Sequence, residues 1–159
     1  MDVNLPESDQ NQIHPTDDTA PTWARKKMMA KETAIAQFTQ IEQLSPTAWA
    51  YIGDAVYELY IRTRFLMPPK RMANYHSQVV AQVRAESQAA YLEFLEPYLT
   101  NFERDILRRG RNACITKPKR LEAQIYQQAT SLEALIGYLH LTNPQRLDEL
   151  FTILDLKLT

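Results

Sequence analysis

Residues 45–66 read SPTAWAYIGDAVYELYIRTRFL and predict the first long helix of the chain. Ser45 can accept hydrogen bonds from free backbone amides, and Pro46 suits the first helical position because its missing N–H would be unpaired there. The Pro68–Pro69 pair predicts the end of the helix. This stretch therefore defines a helix of about six turns.

The two faces of this helix differ in chemistry. At about 100° per residue, one face, which we expect to be buried, collects Trp49, Ile52, Val56, Leu59 and Thr63. Asp54 and Glu58 lie nearly opposite, and with Arg62 they could be only a solvated ladder of charges at four-residue spacing. Gly53 does not fit that alternative, because an interior helical glycine costs roughly 1 kcal/mol relative to alanine. Its presence indicates that another backbone approaches closely.

A second glycine accompanies a carboxylate in TSLEALIGYL, residues 130–139, where Gly137 lies one turn after Glu133. We predict that the two helices cross at their glycines, which would bring Asp54 and Glu133 together across 79 positions of sequence. Two adjacent carboxylates repel each other unless a cation lies between them. Carboxylate oxygens suit Mg²⁺ or Mn²⁺, so the pattern predicts a divalent metal site at this pair.

A basic segment, ERDILRRGRNACITKPKR at residues 103–120, carries seven basic and two acidic residues. It could be an ordinary solvated surface. The functional alternative is an arm that contacts successive phosphates and releases their counterions. Few aromatic residues are interleaved, so contact with a duplex backbone is favoured over stacking on a single strand.

The remaining sequence predicts an all-α fold of six or seven helices, because no run alternates apolar and polar residues as a strand would. Thr100 and Glu103 form a capping-box pattern before a short helix that we expect to end at Gly110. The other predicted helices lie at 23–43, at 71–95 as one long or broken helix, at 119–141, and from the Asn143–Pro144 cap to 157.

Length and composition limit the classes of protein that fit. The 159 residues suit one domain, and residues 1–22 form an acidic tail that we expect to be disordered before a domain at 23–159. Beyond residue 20 the chain holds 18 basic and 14 acidic residues. The single cysteine, Cys114, fits a reducing, cytoplasmic location, and no apolar run or leader predicts a membrane span or secretion. Three glycines are too few for a phosphate-cradling loop.

Three ordered motifs carry a family resemblance. AYIGDAVYELYIR (50–62), RRGRNA (108–113) and ATSLEALIGYL (129–139) together resemble the ribonuclease III catalytic domain, and more closely its short bacterial form, Mini-ribonuclease III. The resemblance implies an all-helical homodimer that hydrolyses double-stranded RNA with Mg²⁺, or Mn²⁺ as a substitute, leaving 5′-phosphate and 3′-hydroxyl ends. It implies that Asp54 and Glu133 are the catalytic metal ligands and that the substrate is precursor 23S ribosomal RNA.

The basic segment supplies the RNA contacts that this activity needs, and alternatives stay open. RNA-binding residues are expected at Arg108, Arg109, Arg111, Asn112, Lys117 and Lys119. The full-length family has two further acids where this chain has Ala50 and Thr130, a departure shared with the short form. A non-catalytic duplex-RNA-binding protein of the same fold is therefore an alternative, and a helical protein-interaction module is a third, although it leaves the basic segment unexplained.

Overall fold

A computed structural model describes residues 26, 30, 34, 37–114 and 120–158. The chain divides into two units, Met1–Gln37 and Phe38–Thr159. In the first unit the four described residues are helical. The predicted disordered tail at 1–22 lies outside the described residues, so it stays a prediction, as does the domain boundary at residue 23.

The second unit is built from helices joined by short connections. Its elements are α1 (38–43), α2 (Pro46–Arg64), α3 (Met72–Val83), α4 (Ala85–Leu95), a 3₁₀ turn (Glu96–Tyr98), α5 (Asn101–Ala113), α6 (Arg120–Thr142) and α7 (Pro144–Leu158). Within the described ranges there is no strand. The prediction of an all-α fold is confirmed.

The helix starts follow the capping signals in the sequence. The Ser45 hydroxyl accepts from the Ala48 amide at 3.2 Å. Thr100 and Glu103 form a complete capping box at the start of α5. Asn143 Oδ1 accepts from the Arg146 amide at 3.2 Å and starts α7. Each of these side chains satisfies a backbone donor that has no partner within the helix.

Helix α6 is the centre of the unit, and α2, α4, α5 and α7 pack against it. From Ala129 to Leu139 almost every residue is buried, as expected for a helix covered on all sides. Glu133 is the one ionisable carboxylate in that stretch. Even so, no helix in the described ranges is long and apolar enough to cross a membrane.

The predicted buried face of α2 is wrong in detail. The helix buries Trp49, Ala50, Gly53, Tyr57 and Ile61, whereas Leu59 is 65% exposed. The reason is that Gly53 contacts the backbone of α6, which fixes the rotation of α2 about its own axis. Apolar side chains occur on both sides of this helix, so hydrophobicity alone gave the wrong rotation.

The predicted end of α5 at Gly110 is also wrong, because the helix continues to Ala113. Gly110 has no positive φ angle. It lies against α6 instead, where an added Cβ would be 2.8 Å from the Ala134 Cβ and 3.1 Å from the Ser131 Cα. The glycine therefore serves close helix packing rather than helix termination.

Candidate active site

Helices α2 and α6 touch backbone to backbone at two glycines. A Cβ added at Gly53 would lie 1.7 Å from the Glu133 carbonyl oxygen, and one added at Gly137 would lie 1.9 Å from the Trp49 carbonyl oxygen. Real side chains never tolerate such distances, so only glycine fits at either position. The predicted crossing of the two helices at their glycines is confirmed.

This crossing places Asp54 and Glu133 in one local environment. Asp54 follows the glycine that contacts the Glu133 backbone. Burial raises the pKa of Glu133 to about 7; the hydrogen bond from Gln88 lowers it, and the nearby charge of Asp54 raises it. Partial burial, and then the charge of Glu58, raise the pKa of Asp54. The charge of Asp54 thus acts on Glu133 although 79 positions separate the two residues in sequence.

One polar side chain of α4, Gln88, contacts Glu133, and the Tyr57 hydroxyl of α2 lies nearby. The Gln88 side-chain amide donates to Glu133 Oε1 and to the Val83 carbonyl, both at 2.9 Å. The Tyr57 hydroxyl donates to the Gln82 carbonyl at 3.0 Å. Burial, with further contributions that include the Glu133 charge, raises the pKa of Tyr57, so this phenol remains a neutral hydrogen-bond donor. Glu133 is thus half-buried, with one neutral hydrogen-bond donor.

Gln88 was not predicted from the sequence as a site residue. It is only 2% exposed and occupies the same face of α4 as Leu92 and Leu95. A polar residue that interrupts an apolar stripe at helical spacing is the signal that could have identified it.

The carboxylate oxygens at this site suit a hard divalent cation that takes few of its ligands from the protein. Asp54 and Glu133 supply oxygen atoms, and neither has an ion-pair partner in the part of the chain that the structure describes. The described residues hold no group of three or more His, Cys, Asp or Glu side chains suited to a metal. A site with two carboxylates leaves most coordination positions to water and substrate oxygens, which is how Mg²⁺ is often bound.

The basic segment begins in α5, which packs on α6 through Gly110. Arg111 and Asn112 are exposed. Arg108 is also exposed, and its guanidinium pairs with Asp105 on the same helix. Lys117 and Lys119 lie outside the described residues, so their placement stays a prediction.

Arg109 is held differently from its neighbours. Its guanidinium carbon lies 4.5 Å from the centre of the Trp49 ring, and its Nη1 lies 3.7 Å from Glu42 Oε2. Glu42 also accepts from the Tyr138 hydroxyl. These contacts tie Arg109 to α1, α2 and α6, so this arginine has a structural role whether or not it also contacts RNA.

The fold and the paired carboxylates define a class of helical endoribonuclease. Residues 47–144 match the family model described as the Ribonuclease III domain. A solved structure of a protein from Fusobacterium nucleatum has the same fold, with a TM-score of 0.65, 28% identity, and coverage of 74% of this chain and 94% of that one. Ribonucleases III act on double-stranded RNA, generally with a divalent metal.

Curated relatives narrow the class further. A protein named Mini-ribonuclease 3 from Thermosynechococcus vestitus is 63% identical over 112 residues, which is 70% of this chain and 74% of the relative. The protein of the same name from Synechocystis sp. is 50% identical over 73% of this chain and 81% of the relative. The one from Thermoanaerobacter sp. is 40% identical over 82% of this chain and 94% of the relative. The chain belongs to the Mini-ribonuclease III group of the ribonuclease III family. It is an endoribonuclease, so the two alternatives without catalytic activity are wrong.

Proposed function

We propose that this enzyme cuts double-stranded RNA with one or more Mg²⁺ ions held by Asp54 and Glu133. The observation that carries the proposal is the glycine crossing of α2 and α6, which joins two carboxylates that lack a cationic partner among the described residues. Asp54 is exposed and Glu133 is half-buried. A charged Glu133 without a counterion is unfavourable there, and a divalent ion would remove that penalty. Mn²⁺ has the same oxygen preference and substitutes for Mg²⁺.

In the proposed reaction, water attacks a backbone phosphorus and the bond to the 3′ oxygen breaks, leaving a 5′-phosphate and a 3′-hydroxyl. A bound Mg²⁺ lowers the pKa of a coordinated water and neutralises the charge that develops on the phosphate. The close backbone contact of α2 and α6 at Gly53 and Gly137 sets where the side chains of Asp54 and Glu133 begin. No cysteine, serine or histidine nucleophile is needed.

The basic segment is the proposed site for the RNA backbone. Phosphate contacts from Arg108, Arg109, Arg111, Lys117 and Lys119, with Asn112 at a ribose or groove edge, would orient the duplex. Such contacts carry no sequence information, so site preference depends on RNA shape or a few minor-groove contacts.

Exposed apolar residues support a homodimer. Tyr51, Leu59 and Met72 are each at least 65% exposed, and Leu66 and Met72 line one cavity of about 220 Å³. Large apolar patches on a protein surface are typical of protein contacts. We propose that a second copy covers this surface of α2 and α3. If the wild type sediments as a dimer and the Leu66→Glu variant as a monomer, the assignment is supported. If the variant remains a dimer, the assignment is wrong.

The substrate proposal, maturation of precursor 23S ribosomal RNA in the cytoplasm, depends on membership of the Mini-ribonuclease III group. Depletion of the protein in its own cells should cause 23S precursors with extended ends to accumulate, which primer extension measures. Normal 23S ends after depletion would exclude this substrate.

The catalytic assignment is tested by Asp54→Asn and Glu133→Gln. Each removes one negative charge and keeps the side-chain shape. We expect the rate of cleavage of a long RNA duplex to fall by about 10³-fold or more, which corresponds to a rise of about 4 kcal/mol in the activation free energy. Metal-free RNA binding and folding should persist. Cleavage that survives in both purified variants would refute the assignment.

The RNA-binding assignment is tested by comparing Arg108→Ala with Arg109→Ala. Loss of one phosphate contact by Arg108→Ala should lower the slope of log affinity against log salt by about one. Arg109→Ala should also lower stability by about 1 kcal/mol, because it loses a ring contact and an ion pair. An unchanged slope in both variants would remove this part of α5 from the RNA interface.

A further inference from the structure

Gln88 is a buried polar side chain beside the proposed metal ligand. It lies in the first turn of α4, where the chain bends at Arg84 between α3 and α4. With 2% of its surface exposed, it is screened from solvent almost completely. Burial of an amide is unfavourable unless hydrogen bonds replace those lost to water, so its partners indicate why it is there.

The hydrogen bonds of Gln88 fix the orientation of its amide. Nε2 donates to the Val83 carbonyl and to Glu133 Oε1, each at 2.9 Å. An amide turned the other way would place its oxygen against two acceptors, which is repulsive. Both hydrogens of the NH₂ group are therefore used, and one of them holds a specific oxygen of Glu133.

The other end of the same amide has no hydrogen-bond partner. Gln88 Oε1 is the one buried side-chain polar atom left without a partner in the described ranges. Leaving a buried acceptor unpaired costs about 1–3 kcal/mol. Because Oε1 and Nε2 share one carbon atom, this acceptor lies close to the Glu133 carboxylate, where α4 packs on α6.

A hydrated divalent ion would supply what this acceptor lacks. Mg²⁺ and Mn²⁺ keep several water molecules when bound to proteins, and those waters are hydrogen-bond donors. The second oxygen of Glu133, Oε2, has no hydrogen bond to the described residues, so the amide leaves it available as a ligand.

We propose that Gln88 is a positioning residue of the metal site, which orients Glu133 through Nε2 and accepts from the hydration shell of the ion through Oε1. This inference rests on the proposed assignment of Glu133 as a metal ligand. Residues that orient a metal ligand typically contribute about 10–100-fold to metal affinity. Gln88 needs no contact with RNA to act in this way.

The test compares Gln88→Leu with Gln82→Leu in full-length protein. Leucine at 88 keeps similar volume and removes both the donor and the acceptor. Gln82 is the control, because its side chain accepts from the Tyr91 hydroxyl between α3 and α4 and makes no hydrogen bond to Glu133. Binding of Mn²⁺ without RNA is followed by electron paramagnetic resonance of the free ion, together with the Mg²⁺ concentration for half-maximal cleavage.

We expect Gln88→Leu to weaken Mn²⁺ binding by about tenfold or more and to raise the required Mg²⁺ concentration similarly, while metal-free duplex binding stays at the wild-type level. Gln82→Leu should leave Mn²⁺ affinity unchanged. If Gln88→Leu does not fold, Gln88→Met tests the same loss with a flexible, unbranched side chain.

The outcomes separate the two proposals. If Glu133→Gln loses Mn²⁺ binding while Gln88→Leu and Gln88→Met bind as tightly as Gln82→Leu, the role of Gln88 is wrong and the metal site stands. If Glu133→Gln binds Mn²⁺ as well as the wild type, the metal site itself is wrong.

Discussion

Two glutamates pack into this helical bundle, Glu103 fully and Glu133 by about half, and their surroundings are opposite. Glu103, at the start of α5, is 3% exposed, and the Arg146 guanidinium donates to its two oxygens at 2.7 and 3.1 Å. Its Oε2 also accepts from the Thr100 amide at 2.8 Å. Glu133 has one neutral donor, Gln88, and a neighbouring carboxylate.

The pKa values follow from these contacts. Burial alone would raise the pKa of Glu103, but donation from Arg146 and Thr100 outweighs it and the pKa lies below the usual value. Burial raises the pKa of Glu133 to about 7, and the charge of Asp54 adds to the shift while Gln88 opposes it. Glu103, whose oxygens accept hydrogen bonds from Arg146 and Thr100, stabilises the fold. Glu133, which has no cationic partner among the described residues, is suited to bind a cation from solution.

The largest effect should come from forcing apart the helices at Glu133. Gly137→Ala puts a Cβ against the Trp49 carbonyl, and overpacking of this kind should cost about 3 kcal/mol or more, with cleavage lost. Gly110→Ala is the control on the helix that carries Glu103, because its Cβ meets a side-chain carbon at 2.8 Å and backbone only at 3.1 Å. Urea unfolding measures both. A smaller loss in Gly137→Ala than in Gly110→Ala would contradict the crossing.

The next effect distinguishes the two acids directly. Glu103→Gln leaves Arg146 without its main counterion, so we expect a loss of about 2 kcal/mol in the free energy of unfolding. Glu133→Gln removes a charge that is costly without metal, and we expect a small gain in stability at pH 8 in EDTA. Equal losses in the two variants would mean that Glu133 is an ordinary structural acid.

The smallest effect is the pH dependence of stability without metal. The folded state holds the proton of Glu133 more tightly than the unfolded state, so this group's contribution is complete below about pH 4.5 and is lost as pH rises through about 7. The Glu103 contribution is present above its unfolded pKa and lost as pH falls through its lower folded value. Urea titrations of wild type and Glu133→Gln should therefore converge at pH 4.5 and diverge at pH 8. A constant difference would contradict the raised pKa.

The sequence predicted the crossing but not its surroundings. An interior helical glycine is costly, so Gly53 and Gly137 pointed to close backbone contact, and the carboxylates beside them pointed to chemistry. The rotation of α2 was predicted wrongly from hydrophobicity, because apolar residues cover more than one face and the contact of Gly53 with α6 decides between them. Gly110 looked like a helix end since the same residue type serves both termination and close packing. The role of Gln88 depends on a partner 45 positions away.

The central claim is that Asp54 and Glu133 together bind a divalent ion. Crystals of the protein grown with Mn²⁺, measured near the manganese absorption edge, test it most directly. We predict an anomalous difference peak within coordination distance of carboxylate oxygens of both residues, and its loss in Glu133→Gln. A strongest peak away from both carboxylates, or one that Glu133→Gln leaves in place, would contradict the account.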